Sequence, residues 1–501
     1  MLRRRVVPWV LASFACLGAL LGFGQAARAG GFEVPDMGAR ALGRGAANVV
    51  GVEDGTAIHY NPGALAKMRG TTVMYNHGLM WQHTRFSRAT LSDAWGPDAG
   101  TTFDTVRNDD LFPILGTLVV TSDFGLDNWT FAAGVYGPNG HGNQRWADYG
   151  PQSFQMTELN VLLAYYSLGA AWKWKDVFGV GAVVQYADLI RLNYGLVSDS
   201  VVTPGLNPIP DPESTQLVTT IELKDRTAAT AQIGAWYRPH QRLELGVSSR
   251  FVPVYFKAKG GVSVDKPTLV TEDIRVAMDM TLPVIVRGGL RYVHDTGTRE
   301  WFDIELDAVY ESWSMLKSFD LDVQGRINGQ ELQRLTIDKN WKDTVSVRLG
   351  GDVHPLPPYL TLRTGAFFET AAAPKNYSNI DFPSFRRVGV GGGFSAGAKG
   401  AYLTVGYMHV FQEKRTVTEE YGKVFGQRPL RPCPDDCDGL SGVPGNAGVF
   451  STGYDLLTIG VDLRFREMLA GRRAKKKQEP APASEPAQSS AAASQRAKHG
   501  A

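Results

Sequence analysis

Beyond Gly30 the sequence contains no apolar run approaching the roughly 20 residues that a membrane-spanning helix needs. The longest candidate, 161–172, is far shorter, so helical spanning is excluded for that part of the chain. Cysteine is scarce, with Cys16 near the start and Cys433 and Cys437 close together in Cys-Pro-Asp-Asp-Cys. The nine histidines are scattered and no His-Glu-x-x-His spacing occurs, so a hydrolase with converging Ser, His and acid is not supported. The chain is read as no enzyme, with no cofactor and no metal. The formal charge of +2 is close to balance and carries no footprint of nucleic-acid binding. Gly391-Gly392-Gly393-Phe394-Ser395-Ala396 mimics a dinucleotide fingerprint, but it falls in a predicted strand with no helix after it.

What is present begins with an export signal. Arg3, Arg4 and Arg5 precede an apolar run over 6–24 and the small-x-small pattern Ala27-Arg28-Ala29, which marks residues 1–29 as a signal peptide. An uncleaved anchor is the alternative, and a short apolar core followed directly by a cleavage pattern argues against it. Export makes a local Cys433–Cys437 disulfide the natural reading. The adjacent Asp435, Asp436 and Asp438 also suit calcium, although Pro- and Asp-rich turns are common without an ion. At the far end, residues 466–501 are basic and then rich in Ala, Ser, Pro and Gln, a composition expected to be disordered.

Between these ends the polarity alternates with period two. Leu457, Ile459, Val461, Leu463 and Phe465 share one face, and Thr458, Gly460, Asp462 and Arg464 the other. Phe302, Ile304, Leu306 and Tyr310 stand against Asp303, Glu305 and Asp307; Val284, Val286, Leu290 and Tyr292 stand against Arg287 and Arg291. Leu243, Leu245 and Val247 oppose Glu244, Ser248 and Arg250 in the same way. Only helices and closed barrels satisfy their backbone groups in lipid. An all-β transmembrane antiparallel barrel over 70–465 follows, with apolar faces toward lipid and polar faces toward the lumen.

Strands are expected near 70–86, 111–123, 129–137, 157–172, 177–192, 226–238, 242–258, 273–293, 300–325, 331–354, 359–371, 386–397, 400–412 and 453–465, about 14 in number, an even count as such barrels require. Short and mostly longer connections alternate, which puts both barrel ends on the periplasmic side. Trp172, Trp174, Trp236, Tyr237, Tyr292, Trp301, Tyr310 and Trp313 are expected in interfacial girdles, though each alone also suits the lumen. Segment 157–172 is apolar on both faces, so something apolar is expected inside.

Residues 30–69 do not alternate and contain two short helical candidates, 39–47 and 62–68, the second with Pro at its first turn. A forty-residue Gly/Ala-rich lead-in of this kind fits a lumenal hatch. Its residues, with others spread in order to 465, resemble the FadL-type outer-membrane transporters of long-chain fatty acids and aromatic hydrocarbons. The pieces are Gly31-Phe32, Ala41-Leu42-Gly43-Arg44-Gly45, 58–66 with Asn61-Pro62-Gly63, 134–140, 282–289, Trp313-Ser314, 362–365, 387–393 and 462–465. Their order is specific although no single piece is.

The resemblance implies a monomeric fourteen-strand barrel in the outer membrane of a Gram-negative bacterium, in contact with outer-membrane lipid and lipopolysaccharide. It further implies ligand binding near Gly30, Gly31 and Phe32, a hatch motif at Asn61, Pro62 and Gly63, and an inward strand kink at Gly137, Pro138 and Asn139 that opens a lateral route. The kink residues also suit a simple turn into an external loop. Family members commonly carry Asn-Pro-Ala where this chain has Asn61-Pro62-Gly63, and usually finish at the terminal aromatic, whereas this chain continues past Phe465.

Passive uptake of a hydrophobic small molecule, foremost a long-chain fatty acid, is the expected function. A carboxylate would need inward cations, for which Arg287, Arg348 and Arg363 are candidates; ion pairs with Asp303, Glu305 or Glu369 are the structural alternative. An aromatic-hydrocarbon channel, a water-filled porin and an adhesin barrel are the rivals, the plug arguing against the porin.

Overall fold

The computed structural model describes residues 31, 37–113, 115–137, 143–198, 208–295, 300–427 and 440–470. The signal peptide, Gly30, Phe32, Pro138, Asn139, Cys433, Cys437 and the tail beyond 470 lie outside the described residues. The chain forms a closed antiparallel barrel of 14 strands. They are β1 (Thr72–Arg88), β2 (Thr117–Ser122, continued by Leu111–Pro113 and Val106–Asn108), β3 (Trp129–Tyr136, with Asn143–Arg145 beyond), β4 (Glu158–Trp174), β5 (Phe178–Ser198) and β6 (Leu217–His240). There follow β7 (Leu243–Arg250 and Val254–Val264), β8 (Val270–Leu282 and Ile285–Asp295), β9 (Glu300–Glu311 and Ser318–Ile327), β10 (Leu335–Asp338 and Thr344–Leu356), β11 (Leu360–Glu369), β12 (Arg387–Ala398), β13 (Ala401–Gln412) and β14 (Gly448–Arg464). Pairing of β1 with β14 from Thr72↔Arg464 to Arg88↔Gly448 closes the ring.

The alternation read from the sequence is the wall itself. Ile304, Leu349, Val390, Ile459 and Val461 are exposed on the outside, while Asp303, Glu305, Asp307, Arg348 and Thr458 are buried within. Apolar side chains in contact with lipid lose nothing by exposure, and charges inside meet partners, so the inside-out pattern is the stable one. β5, β6 and β7 run several residues further toward the long-loop end than the alternation suggests. Past Tyr186 and Tyr255 the outer face carries Arg191, Lys224, Lys257 and Lys259 in place of apolar residues, so the lipid-facing apolar pattern ends although the ladder and the buried inner face with Leu192, Leu223 and Phe256 continue. After β14 the chain turns into helical residues 465–470 instead of becoming irregular at once.

Trp174, Tyr237, Tyr292, Trp301 and Tyr310 are exposed on the outer wall as girdle residues should be. Trp236 and Trp313 are not: they are 2% and 0% exposed. Trp236 packs with Val49 and Val50, and Trp313 stands edge-on to Trp341 at 5.2 Å while its indole N–H donates to Glu311 at 2.6 Å. Trp236 lies on the lumenal parity of β6, and Trp313 sits in the turn that interrupts β9, where period two no longer sets direction. The inner face of β4 is covered as expected, with Leu159, Leu163 and Tyr165 in the apolar core.

Residues 37–69 lie inside the ring. They carry α1 (Ala39–Gly43), α2 (Ala57–Tyr60) and a 3-10 turn over Pro62–Lys67, and nearly all are buried. Replacing Leu349, mid-strand on the outer wall of β10, with Arg should cost about 2–4 kcal/mol of folding free energy in bilayers. Urea titration of vesicle-refolded protein measures it, and a loss below about 0.5 kcal/mol would contradict this assignment of the lipid face.

Candidate functional site

The inner segment is held by carboxylates on one strand. Asp303, Glu305 and Asp307 alternate along β9 and so point together into the lumen. Arg44, fully buried, donates to Asp303 at 2.9 Å, to Glu305 at 2.7 Å and to Asp352 of β10 at 2.6 Å. The backbone N–H groups of Val50 and Gly51 donate to Glu305 at 2.6 and 2.9 Å, and those of Asn48 and Val49 donate to Asp307 at 2.8 and 3.0 Å. Arg291 closes the network against Asp303, Glu300, Glu244 and Glu53. The charged side chains around Arg44 hold its guanidinium well above its ordinary pKa despite burial.

The opposite side of the segment is fitted by shape. Asn61 caps the Pro62–Lys67 turn by accepting from Gly63 N–H at 3.0 Å, and its amide donates to the carbonyls of Val49 and Ala235, both at 3.0 Å. A Cβ on Gly63 would come within 2.6 Å of the Ala235 backbone, so glycine lets the turn lie against β6. On the wall, a Cβ at Gly350 or Gly365 would overlap the Arg44 carbonyl, and one at Gly406 the Ala39 carbonyl. These side-chain-free wall positions make the lane in which α1 lies.

The three arginines singled out in the sequence divide. Arg363 belongs to the ion network, 3.4 Å from Asp352 and donating to Ser395 at 2.6 Å. Arg287 and Arg348 lie elsewhere, around His59. Arg287 stands 3.5 Å from the His59 ring, and Arg348 is held by the Ser346 hydroxyl at 3.1 Å and the Ala46 carbonyl at 3.5 Å. Arg250 joins them, 3.3 Å from the Tyr165 hydroxyl. Burial, followed by Arg287, Arg250 and Arg348, pushes the His59 pKa well down, so the ring is neutral. Asp303 and Glu305 pair with Arg44, not with the candidates, and Glu369 pairs with Arg387. Arg250 shared the inward face in the alternation. His59, by contrast, carried no signal of its own.

Above this cationic pocket the lumen is apolar and aromatic, with Tyr136, Tyr165, Leu163, Phe256, Met280 and Trp341 in one cluster. Gly31 lies against the Trp313 indole, whose ring a Cβ there would overlap. The connection 370–386 folds into the mouth: Ile380, Phe382 and Phe385 are buried, Lys339 pairs with Asp381, and Tyr194 donates to Asp381 at 2.9 Å. Beside it a small apolar groove is lined by Ile221, Val262, Ile274, Val323, Ile327 and Leu335.

Gly137 ends β3, with the Leu163 carbonyl 2.7 Å from where its Cβ would be. The β2–β3 ladder runs only from Leu118↔Val135 to Ser122↔Phe131; among the described residues, Leu111–Pro113 pairs beyond it with β1 and Asn143–Arg145 with β4. The spacing Gly393-Phe394-Ser395-Ala396-Gly397 matches that of serine hydrolases. Ser395 sits within β12, where it accepts from Arg363 and lies 2.6 Å from the Thr404 hydroxyl, so it lacks the strand-to-helix turn that such a nucleophile needs.

The family described as outer membrane protein transport protein (OMPP1/FadL/TodX) matches residues 20–431. No curated protein matches the sequence. Among solved structures, a Pseudomonas aeruginosa FadL homologue is 14% identical with a TM-score of 0.69, covering 87% of this chain and 100% of that one. The Pseudomonas putida toluene transporter TodX is 13% identical with a TM-score of 0.61, covering 85% and 98%. The Ralstonia pickettii toluene transporter TbuX is 12% identical with a TM-score of 0.57, again covering 85% and 98%. At these identities the structures share the fold; the match over residues 20–431 shows the family, and the chain belongs to it.

Arg44→Ala removes the cation shared by Asp303, Glu305 and Asp352, leaving each with its remaining partners, and should weaken docking of the inner segment by about 3–5 kcal/mol. The variant is expected to keep the barrel, seen as heat-modifiable gel mobility, yet to conduct ions in planar bilayers where the parent is silent. A silent variant would show that the network does not hold the lumen shut.

Proposed function

We propose that this family member is a monomeric, passive outer-membrane channel for hydrophobic small molecules, with long-chain fatty acids as its first substrate class and both barrel ends periplasmic. The observation that carries the substrate class is the junction of an apolar lumen with the Arg250, Arg287 and Arg348 pocket. An acyl chain buried along Leu163, Phe256, Met280 and Trp341 gains about 0.8 kcal/mol per CH₂. Its carboxylate then reaches cations in a site that excludes water, where a charge-assisted hydrogen bond is strong.

Residues 30–69 act as the hatch in this reading, with Gly30, Gly31 and Phe32 beside the bound ligand and Asn61, Pro62 and Gly63 as its fixed corner. The groove over Ile221 and Ile274 receives ligand from outside. The interrupted β2–β3 ladder at Gly137 supports a lateral route into the bilayer, since a gap in pairing there needs no further rupture of hydrogen bonds. A filled lumen is incompatible with a water-filled porin, and the infolded 370–386 connection offers little to an adhesin. The cluster of Trp313, Trp341, Phe319 and Phe382 favours a second reading, an aromatic hydrocarbon as substrate.

Calorimetry with oleate and toluene, in a detergent unlike a fatty acid and with residues 30–45 deleted as control, separates the two. Saturable oleate binding lost in the deletion is expected. Arg348→Ala should weaken oleate by roughly 10- to 100-fold, the loss of about 1.5–3 kcal/mol for a hydrogen bond to a charged group, and leave toluene unchanged. Toluene binding alone would move the substrate to aromatic hydrocarbons, and binding of neither would sink the transport reading.

A further inference from the structure

The outer wall carries cations that the fold does not explain. Lys224 of β6 and Lys259 of β7 are direct cross-strand partners, both exposed. Pairing of Leu192 with Leu223 sets Arg191 of β5 beside Lys224, so three cations stand in a row across three neighbouring strands. Lys257 lies two residues below Lys259 on the same face. Like charges directly opposite in a sheet repel and destabilise it unless something neutralises them. Among the described residues no carboxylate lies within 4.0 Å of Arg191, Lys224, Lys257 or Lys259; Arg226 reaches Asp188 at 3.8 Å. Glu222 and Asp279 share the neighbourhood, the latter opposite Lys257, and leave the row itself unmatched.

The depth of this row is fixed by its neighbours. Below it the wall shows Val184, Ile233, Val247 and Leu245, all exposed and apolar, and then Tyr186 and Tyr255 at the upper edge. The Tyr186 hydroxyl donates to the Arg226 carbonyl at 2.6 Å. Tyrosines at an apolar boundary mark the headgroup level, so the cations meet lipid headgroups at the long-loop end. The same arrangement recurs across the barrel: Arg85 of β1 and Arg107 of β2 are direct cross-strand partners, both exposed, above the Trp81 level.

We infer that the Arg191, Lys224, Lys257 and Lys259 patch is a binding site for a phosphorylated glycolipid of the outer leaflet, whose phosphates sit between the opposed cations. Lysine ammonium groups on flexible stems suit a phosphate as point charges without requiring a planar fork. An outer-leaflet glycolipid presents paired phosphates at headgroup depth with acyl chains that continue down Ile233 and Val247. The inference rests on outer-membrane placement with the long loops outward, and not on which ligand crosses the barrel.

The test uses the full mature chain extracted from outer membranes, with bound lipid counted by native mass spectrometry. Lys224→Gln with Lys259→Gln should reduce retained phosphorylated glycolipid by about tenfold or more, since each cation at an anionic lipid surface contributes measurably. Lys399→Gln, at the opposite end, should leave it unchanged, and unaltered oleate binding by the double variant shows that the barrel is intact. In add-back, dephosphorylated glycolipid and phosphatidylglycerol should bind more weakly than the phosphorylated glycolipid. Unchanged retention in the double variant, or equal binding of the dephosphorylated form or of phosphatidylglycerol, would overturn the site. Loss of oleate binding with glycolipid retained would sink the transport reading alone.

Discussion

The rest of the structure depends on the buried charge network between Arg44 and the acidic face of β9. Desolvating a guanidinium and several carboxylates costs several kcal/mol per ion, and it is offset only where every group meets a partner of opposite charge or a backbone donor. Here Glu305 satisfies a side chain and two backbone N–H groups at once. The inner segment has too little regular structure to hold itself: α1 and α2 are five and four residues long, below the length at which an isolated helix persists. Its shape is therefore borrowed from the wall. Without Glu305 and Asp307 in register, the backbone N–H groups of Asn48, Val49, Val50 and Gly51 would lose their acceptors in a water-poor interior.

That dependence also accounts for the glycines. A barrel of 14 strands encloses a lumen too wide for side chains alone to fill, and this chain fills it with backbone. For backbone to lie against backbone, wall positions facing α1 must lack a Cβ, which Gly350, Gly365, Gly391 and Gly406 do. The two sides of the segment are thus secured by different physics: directional charge on the β9 side, steric fit on the side of Asn61 and Gly234.

How much of this was legible follows from which constraints are local. The barrel, its even strand number and the lipid-facing residues were readable because period two acts within each strand and needs no partner. The covered face of β4 was readable for the same reason. Trp236 and Trp313 were misassigned because an aromatic at a strand end is equally stable against headgroups and against a lumenal partner, and only the presence of Val49, Val50 and Trp341 decides. The inward charges were readable as a set, while their pairing was not. Arg363 and Arg348 look alike in sequence, each one residue from a similar alternating face, yet one meets Asp352 and the other Ala46 and Ser346. Pairing is decided by shear and by where the inner segment lies, neither of which a single strand encodes.

The network constrains how anything can pass. An apolar ligand has no group that can replace a carboxylate's partners, so it cannot itself supply the free energy to withdraw Arg44 from Asp303, Glu305 and Asp352. Complete withdrawal of the inner segment would expose at least those ions together and is disfavoured by several kcal/mol for each. Among the described residues ahead of Arg40 the ties carry no charge: Gly31 lies against Trp313, Met37 is met by the Thr117 hydroxyl at 3.3 Å, and the Ala39 N–H donates to Asn76 at 3.2 Å. In the proposed function, a ligand that displaces only residues ahead of Arg40 would leave the network closed. A ligand leaving sideways at that level would not have to part these ion pairs. In the proposed function, the ion pairs that hold the inner segment in the lumen would direct a hydrophobic ligand to the wall.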